Sequence, residues 1–542
     1  MHDDSEFDYV IIGAGSAGCV LANRLSEDPA KKVLILEAGG SDRRFWIQTP
    51  IGYGKTFFDP KVNWMYHTAP DPALNGRSSY WPRGKVIGGS SSINAMVYIR
   101  GQQADYDDWR DSGNDLWGWD QVLPYFRKSE TFSNGGSQWR GDQGPLYVND
   151  PSRDYHPLCQ TFIQAAEECG ISRTSDFNGE QFEGSGLYQL TTKNGFRMSA
   201  SRAYLRPALK RPNCDILSQC HVTRILFEGQ RAVGVEYRQG NVTKTVKANA
   251  EVIVSAGSIN SPQLLQLSGI GPGKLLSEHG IPVIQDMPQV GKNLQDHLGY
   301  THYYRSRVPT LNNELSPWWG KLKVGIQYVL TRKGPLSLSV NQAGGFFRSN
   351  PERTRPNLQL YFAAITYSTS PTGKRPLMHP DPWPGFLNCI CQTRPASRGE
   401  INITSRDPLA HPRIEPNYLS DESDMVEMLE GARFLRNMIQ APALKAVMES
   451  ETTPGIHVQS DEELIEDIRN RSDTVFHPTS TCMMGTSADN SVVDQRLNVH
   501  QTKGLRVVDA SVFPTVTSGN TNGPTIMLAE RAADIIKSQD SV

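Results

Sequence analysis

FDYVIIGAGSAGCVLANRLSEDPAKKVLILEAGG, residues Phe7 to Gly40, is the stretch on which the fold turns. Tyr9 to Ile12 is a short apolar run of the kind that fills a strand buried on both faces. Gly13-x-Gly15-x-x-Gly18 follows at once, and Leu21, Ala22 and Leu25 then recur at helical spacing. Val33 to Leu36 is a second buried strand, and it ends on Glu37, 24 positions after the first glycine. In such a unit Gly13 permits the tight turn, Gly15 lets the backbone approach a pyrophosphate, and Gly18 lets the helix pack closely on the strand. Free N–H groups at the helix start face the phosphates, and Glu37 is placed to accept from a ribose diol. A GxGxxG alone is weak. Inside a full strand–turn–helix–strand unit it reads as a dinucleotide site.

The unit does not say which dinucleotide, since NAD and FAD both use it. Composition narrows the field. At 542 residues the chain is long enough for two core-forming units. Lys and Arg number 55 against 57 Asp and Glu, so there is no basic footprint for nucleic acid. The eight cysteines are scattered without a CxxC, and Cys389 and Cys391 in LNCICQ fall on one face of a strand. They read as reduced thiols, with no metal site expected. No run approaches the ~18 apolar residues that span a bilayer. The acidic start MHDDSEFDYV leads straight into a strand, unlike a signal or transit peptide. The expectation is a soluble, cytoplasmic protein.

A second stretch, WPRGKVIGGSSSINAMVYIRG (Trp81–Gly101), is rich in small residues and then turns apolar, which suits close backbone approach better than a flexible linker. It resembles the first signature of the glucose–methanol–choline (GMC) family of FAD-dependent oxidoreductases, and GSINSPQLLQLSGIG (Gly257–Gly271) resembles the second. VGKNLQDH (Val290–His297), FHPTSTCMMG (Phe476–Gly485) and LRVVDASVFPTVTSGNTNGPTIMLAERAADII (Leu505–Ile536) are similar to further blocks of that family, in family order. The branch that looks most similar is that of the choline-dehydrogenase-like alcohol dehydrogenases. The resemblance implies a discontinuous Rossmann-like α/β FAD domain at 1–155, 220–300 and 475–542. It also implies an α+β substrate domain at 156–219 and 301–474, with a mostly antiparallel sheet flanked by helices. In the second part, Met425, Met428, Leu429, Ala432, Leu435 and Ile439 share one helical face and read as core.

The resemblance also implies where FAD lies. It runs along Gly13, Gly15, Ser16, Ala17, Gly18, Glu37 and Ala38, then Trp64, Arg83, Gly84, Val86, Gly88, Gly89 and Ser90. Asn94, Ala95, Met96 and Val97 would present amides at the polar edge of the flavin, where hydrogen bonds stabilise negative charge on the reduced ring. Val222 would frame the adenine, Asp509 and Ala510 the ribityl and pyrophosphate, and Thr521, Asn522 and Pro524 the pyrimidine end. Some relatives link the flavin covalently through a histidine. The matching position here is Ile93, so FAD is expected to be held non-covalently.

Alcohol oxidation needs a group that takes the hydroxyl proton as hydride leaves for flavin N5, and an imidazole suits neutral pH. His477 matches the family base, and Asn520 matches its partner position. The expected reaction is oxidation of a primary alcohol to an aldehyde, with electrons passed to a quinone-type acceptor. An oxidase using O2 and a non-redox hydroxynitrile lyase are the alternatives. Choline dehydrogenases resemble Phe-Glu where this chain has Asn341-Gln342, which argues against a cationic substrate and for an uncharged one. Trp318 and Trp319 line an entrance, touch a membrane surface such as the inner membrane, or form a packed pair. A monomer or homodimer is expected.

Overall fold

The computed structural model describes residues 6–368 and 379–540; the first five residues of the acidic start fall outside them. The quoted stretch folds as β1 (Glu6–Ile12), α1 (Ser16–Leu25) and β2 (Val33–Glu37). β1 and β2 pair in parallel, Tyr9 opposite Val33 through Ile12 opposite Leu36. Every residue of β2 is buried, as the unbroken apolar run requires of a central parallel strand.

Around this pair a seven-stranded sheet forms, in the order 214–218, β2, β1, 242–254, 231–239, 220–228, with Leu505–Val507 also pairing to 242–254. Val242–Val254 is long enough to serve twice. Its first half closes an antiparallel meander with Arg231–Gln239, and its second half runs parallel to β1 and to Leu505–Val507. The edge strand Cys214–Ser218 pairs in parallel with β2, and Ala203–Leu205 pack in the same core. The expectation that 156–219 belongs wholly to the substrate side therefore needs correcting from about residue 200. The short strand's partner is distant in sequence because parallel pairing needs a long crossover, here from Glu37 to Cys214.

The second sheet is antiparallel, in the order 448–453, 298–306, 385–392, 358–363, 343–347, 184–187, with Asp473–Thr474 also paired to 298–306. The Glu422–Met438 helix covers it, with Met428, Ala432 and Leu435 fully buried and Met425 and Leu429 packed at the margin. Cys389 and Cys391 lie two apart on Gly385–Gln392, and all eight cysteines are free thiols.

One long-range clamp positions the site. The Asn522–Asp540 helix packs on α1, and its Glu530, fully buried, accepts a two-pronged hydrogen bond from Arg24 (2.8 Å on each prong) and one from Tyr204 Oη (2.9 Å). A buried carboxylate is tolerated when its oxygens are paired in this way. Ser16 Oγ then donates to Asn522 Oδ1 at 2.7 Å, so the N-termini of both helices open on one cavity.

Candidate active site

The parallel strands end at a common edge, where an α/β sheet holds its ligand. Ile12, Glu37, Ser255 and Asp509 at or just beyond those ends line a cavity of about 980 Å³ that continues into the antiparallel domain. Two glycines set the shape of its dinucleotide end. A Cβ on Gly18 would lie 1.9 Å from the Gly13 carbonyl, and one on Gly89 would lie 2.7 Å from Gly15 Cα. The first contact seats α1 on β1; the second presses the serine-glycine loop against the first turn. No side chain caps α1, whose start lies open at Gly15, Ser16 and Ala17. Its free N–H groups make the donor set that a pyrophosphate requires.

Glu37 does more than face a ribose. Its Oε2 accepts from Ala14 N at 2.9 Å and its Oε1 from Gly39 N at 2.7 Å, so it braces the turn. Burial pushes its carboxyl up to about 7, against the lowering effect of those two bonds and Lys85. Asp509 is a similar brace, accepting from Gly257 N, Ser261 Oγ and Ser511 N.

The cavity wall also includes Gly13, Ala38, Trp64, Arg83, Gly84, Ser90, Asn94, Ala95, Met96, Val97, Val222, Ala510, Thr521 and Asn522. Gly18, Val86, Gly88 and Pro524 are not part of it. Gly18 is spent on helix–strand packing; Val86 is buried with Ile47, Val62 and Ile93; Gly88 N donates to Ala14 O at 2.7 Å; Pro524 is buried within its helix. Ile93 itself reaches the wall, an apolar side chain at the covalent-linkage position.

At the other end, His477 and Asn520 meet: Asn520 Nδ2 lies 3.1 Å from His477 Nε2, across 43 positions of chain. Behind them is a hydrogen-bonded chain whose directions are determined. Thr393 O can only accept, so His297 Nε2, 2.9 Å away, carries a hydrogen. Burial pushes His297 down to about 4, which makes its ring neutral and leaves Nδ1 an acceptor. His477 Nδ1, 2.9 Å from that nitrogen, must therefore donate. Burial, His297 and Arg83 hold His477 well below the usual imidazole range, so it too is neutral, and its unprotonated Nε2 accepts from Asn520 Nδ2. Tyr361 Oη donates to Asn520 Oδ1 at 3.4 Å, which turns the amide so that its NH2 faces the base.

Asp296 holds the backbone of this loop. Its Oδ1 accepts from His477 N at 2.6 Å, while Oδ2 accepts from Tyr418 Oη and Thr474 Oγ1, each at 2.5 Å. The loop is strained, with Phe476 at φ +71° and Ser480 at φ +76°, conformations that non-glycine residues adopt when their surroundings enforce them. Asp296, His297, Tyr361 and Thr393 were not foreseen as site residues. The signal for the first two was present, a buried acid–histidine doublet at the end of VGKNLQDH.

Beyond the pair, Tyr53, Tyr303, Val340, Tyr367 and Leu387 wall an aromatic chamber. Gln342 is outside it. It is 1% exposed, and its Oε1 accepts from His156 N at 2.9 Å, so the missing charge at this position says nothing about the chamber. Asn341 is the residue of that pair on the wall.

Family models described as GMC oxidoreductase match residues 7–299 and 395–529. The chain is 46% identical to the alcohol dehydrogenase [acceptor] of Pseudomonas putida, covering 98% of this chain and 95% of that one. It is 43% identical to mitochondrial choline dehydrogenase of Mus musculus, covering 98% and 89%. Among solved structures, pyridoxine 4-oxidase from Mesorbium loti superposes with a TM-score of 0.87 at 30% identity, covering 97% of this chain and 98% of that one. A variant of Aspergillus oryzae RIB40 formate oxidase studied for FAD modification gives 0.91 at 28% identity, covering all of both chains. The chain belongs to the GMC oxidoreductase family and is an FAD-dependent oxidoreductase acting on the CH–OH group of its donors.

Proposed function

We propose that the protein oxidises an uncharged primary alcohol to the aldehyde, with His477 Nε2 taking the hydroxyl proton and Asn520 holding the substrate oxygen. The observation that carries this is the tautomer chain from Thr393 through His297, which leaves a lone pair on the one ring nitrogen facing the chamber. Bound FAD supplies the hydride acceptor, a role the protein alone cannot fill. The uncapped start of α1, the Gly13 turn braced by Glu37, and the loop from Gly84 to Val97 would hold it. Neutral His477 can accept a proton without first losing one, and the buried chain behind it stops the ring rotating away.

The uncharged alcohol is favoured by the 46% identity to a relative named alcohol dehydrogenase; the chamber wall, aromatic and with Asp381 on it, would admit a quaternary ammonium as well, so the choline comparison below decides. An acceptor other than O2, of the quinone type, is favoured by the 46% identity to a relative named for an acceptor. The free thiols support a reducing, cytoplasmic setting. Ile93 supports non-covalent FAD, to be checked by acid precipitation: the flavin should be released into solution, and flavin retained on the precipitated chain would overturn this. The decisive experiment is anaerobic mixing with a panel of neutral alcohols and choline. Neutral alcohols should bleach the flavin with the higher kcat/KM. Admitting oxygen should reoxidise it slowly, with little peroxide. Fast reoxidation with stoichiometric peroxide would make the enzyme an oxidase, and no bleaching would exclude alcohol oxidation.

A further inference from the structure

The Trp318–Thr331 helix has two faces of unusual character. Gly320, Val324 and Tyr328, four residues apart, form its buried stripe. The opposite stripe is apolar too, and it is in solvent: Trp318 is 77% exposed, Trp319 58%, Leu322 56%, Ile326 52%, Val329 55% and Leu330 77%. Phe45 and Trp46, also exposed, lie beside this helix, with the Phe45 ring 6.4 Å from that of Tyr328. Solvent-facing apolar surface gathered on one face marks an interaction site.

We propose that this face docks the enzyme on an anionic phospholipid bilayer. Charge selects that occupant. Between Trp318 and Lys333 the chain carries Lys321, Lys323, Arg332 and Lys333 and no acid, although the whole chain has a net charge of −2. At about 100° per residue, Lys321 and Lys323 fall on opposite flanks of the apolar stripe. From there their stems can lie along hydrocarbon while the ammonium groups reach headgroup phosphates. Paired tryptophans at one end of the helix suit the interfacial zone. The helix has 14 residues, too short to span, so it would lie in the interface plane. A second copy of the chain fits less well, because a two-fold contact of this face with itself sets lysine against lysine.

The buried side of the helix gives the contact a consequence for catalysis. Val324 and Tyr328 share one apolar cluster with Tyr303, Val340 and Tyr367, which wall the substrate chamber. The docked face would therefore sit on the chamber side of the molecule.

The test is co-sedimentation of the FAD-loaded enzyme with vesicles of phosphatidylcholine alone and of phosphatidylcholine with phosphatidylglycerol. Partitioning should be at least tenfold stronger on the anionic vesicles and should fall as salt is added. Trp319→Ser with Leu330→Ser should weaken it about tenfold or more on either vesicle. Lys321→Glu with Lys323→Glu should weaken it comparably, on the anionic vesicles only. Both variants should keep full flavin content and the parental rate with a soluble alcohol in the absence of vesicles, which separates docking from folding. Equal partitioning of parent and variants, or no preference for anionic lipid, overturns the proposal. So does a parental dimer in sedimentation velocity that both variants lose, which would assign the face to a second copy.

Discussion

At the dinucleotide end of the cavity the recognising groups are backbone: the uncapped N–H groups of α1 and a turn braced by Glu37. At the catalytic end they are side chains, brought from Asp296, His297, Tyr361, His477 and Asn520 and anchored on the Thr393 carbonyl. The first kind of site has its centre within a few dozen residues, Gly13 to Gly39, and is completed by the Gly89 loop and the Asp509 brace. The second depends on five separate segments meeting within hydrogen-bond distance. Damage at the first should therefore cost cofactor retention, and damage at the second should cost chemistry with the cofactor still in place.

The largest effect should come from His477→Ala, which removes the base while leaving the braced turn intact. Anaerobic stopped-flow should show flavin reduction slowed by roughly 10²–10⁴, the usual share of a positioned base, with flavin content unchanged. Asn520→Ala should cost less, since it removes an orienting bond and no proton acceptor. Reduction at the parental rate in His477→Ala would place the base elsewhere; loss of FAD from it would break the division between the two ends.

His297 comes next because it acts through His477. His297→Ala frees the ring to rotate and to take the other tautomer, and reduction should slow by roughly 10- to 100-fold, as for other orienting partners. His297→Gln offers a carbonyl oxygen toward His477 Nδ1–H and an amide N–H toward Thr393 O, so it should recover most of the rate. Equal impairment in both variants would mean that His297 serves packing alone.

Glu37 tests the other end. Glu37→Ala leaves the buried N–H groups of Ala14 and Gly39 without acceptors, at about 1–3 kcal/mol each. FAD affinity should fall roughly tenfold or more and Tm should drop, while the reduction rate of molecules that retain FAD stays near parental. A slower reduction step with full FAD retention would contradict the division.

The two ends also differ in how far they could be read from the chain. The β1–α1–β2 unit is local, and its glycines, apolar runs and terminal acid are in the quoted stretch. His477 and Asn520 were identifiable as a pair through their family blocks. The relay behind them was not, because His297 lies 180 positions from His477 and 96 from Thr393, and the pairings of Leu298 with Thr474 and of Gln295 with Thr479 bring the two histidines together. Gln342 shows the same limit at one-residue scale. It directly precedes the strand Ala343–Phe347, where neighbouring side chains alternate between faces, so Asn341 lines the chamber while Gln342 does not. Val86 sits in a stretch whose glycines suggest cofactor contact, yet its own side chain fills a small core with Ile47.

The smallest effect expected is the absence of one, and it sharpens the catalytic side. A base titrating like free imidazole would be only about one-tenth neutral at pH 5.5, and reduction would fall about tenfold between pH 7.5 and 5.5. His477 is held well below that range by burial, His297 and Arg83, so its active neutral form should persist as pH falls. The rate should change by less than about twofold between pH 8 and 5.5, and decline only in more acid solution, where the ring at last protonates. The sign is fixed, because raising the pH can only deprotonate this base and can never switch it off. One neighbour titrates inside the window: Asp296, under the His477 backbone, is pushed up to about 6 by burial. An inflection near pH 6 that disappears in Asp296→Asn belongs to that carboxyl acting on the loop. An inflection near 6.5 that survives Asp296→Asn would mean that His477 is solvated during turnover, and the tautomer chain through His297 would then not describe the working enzyme.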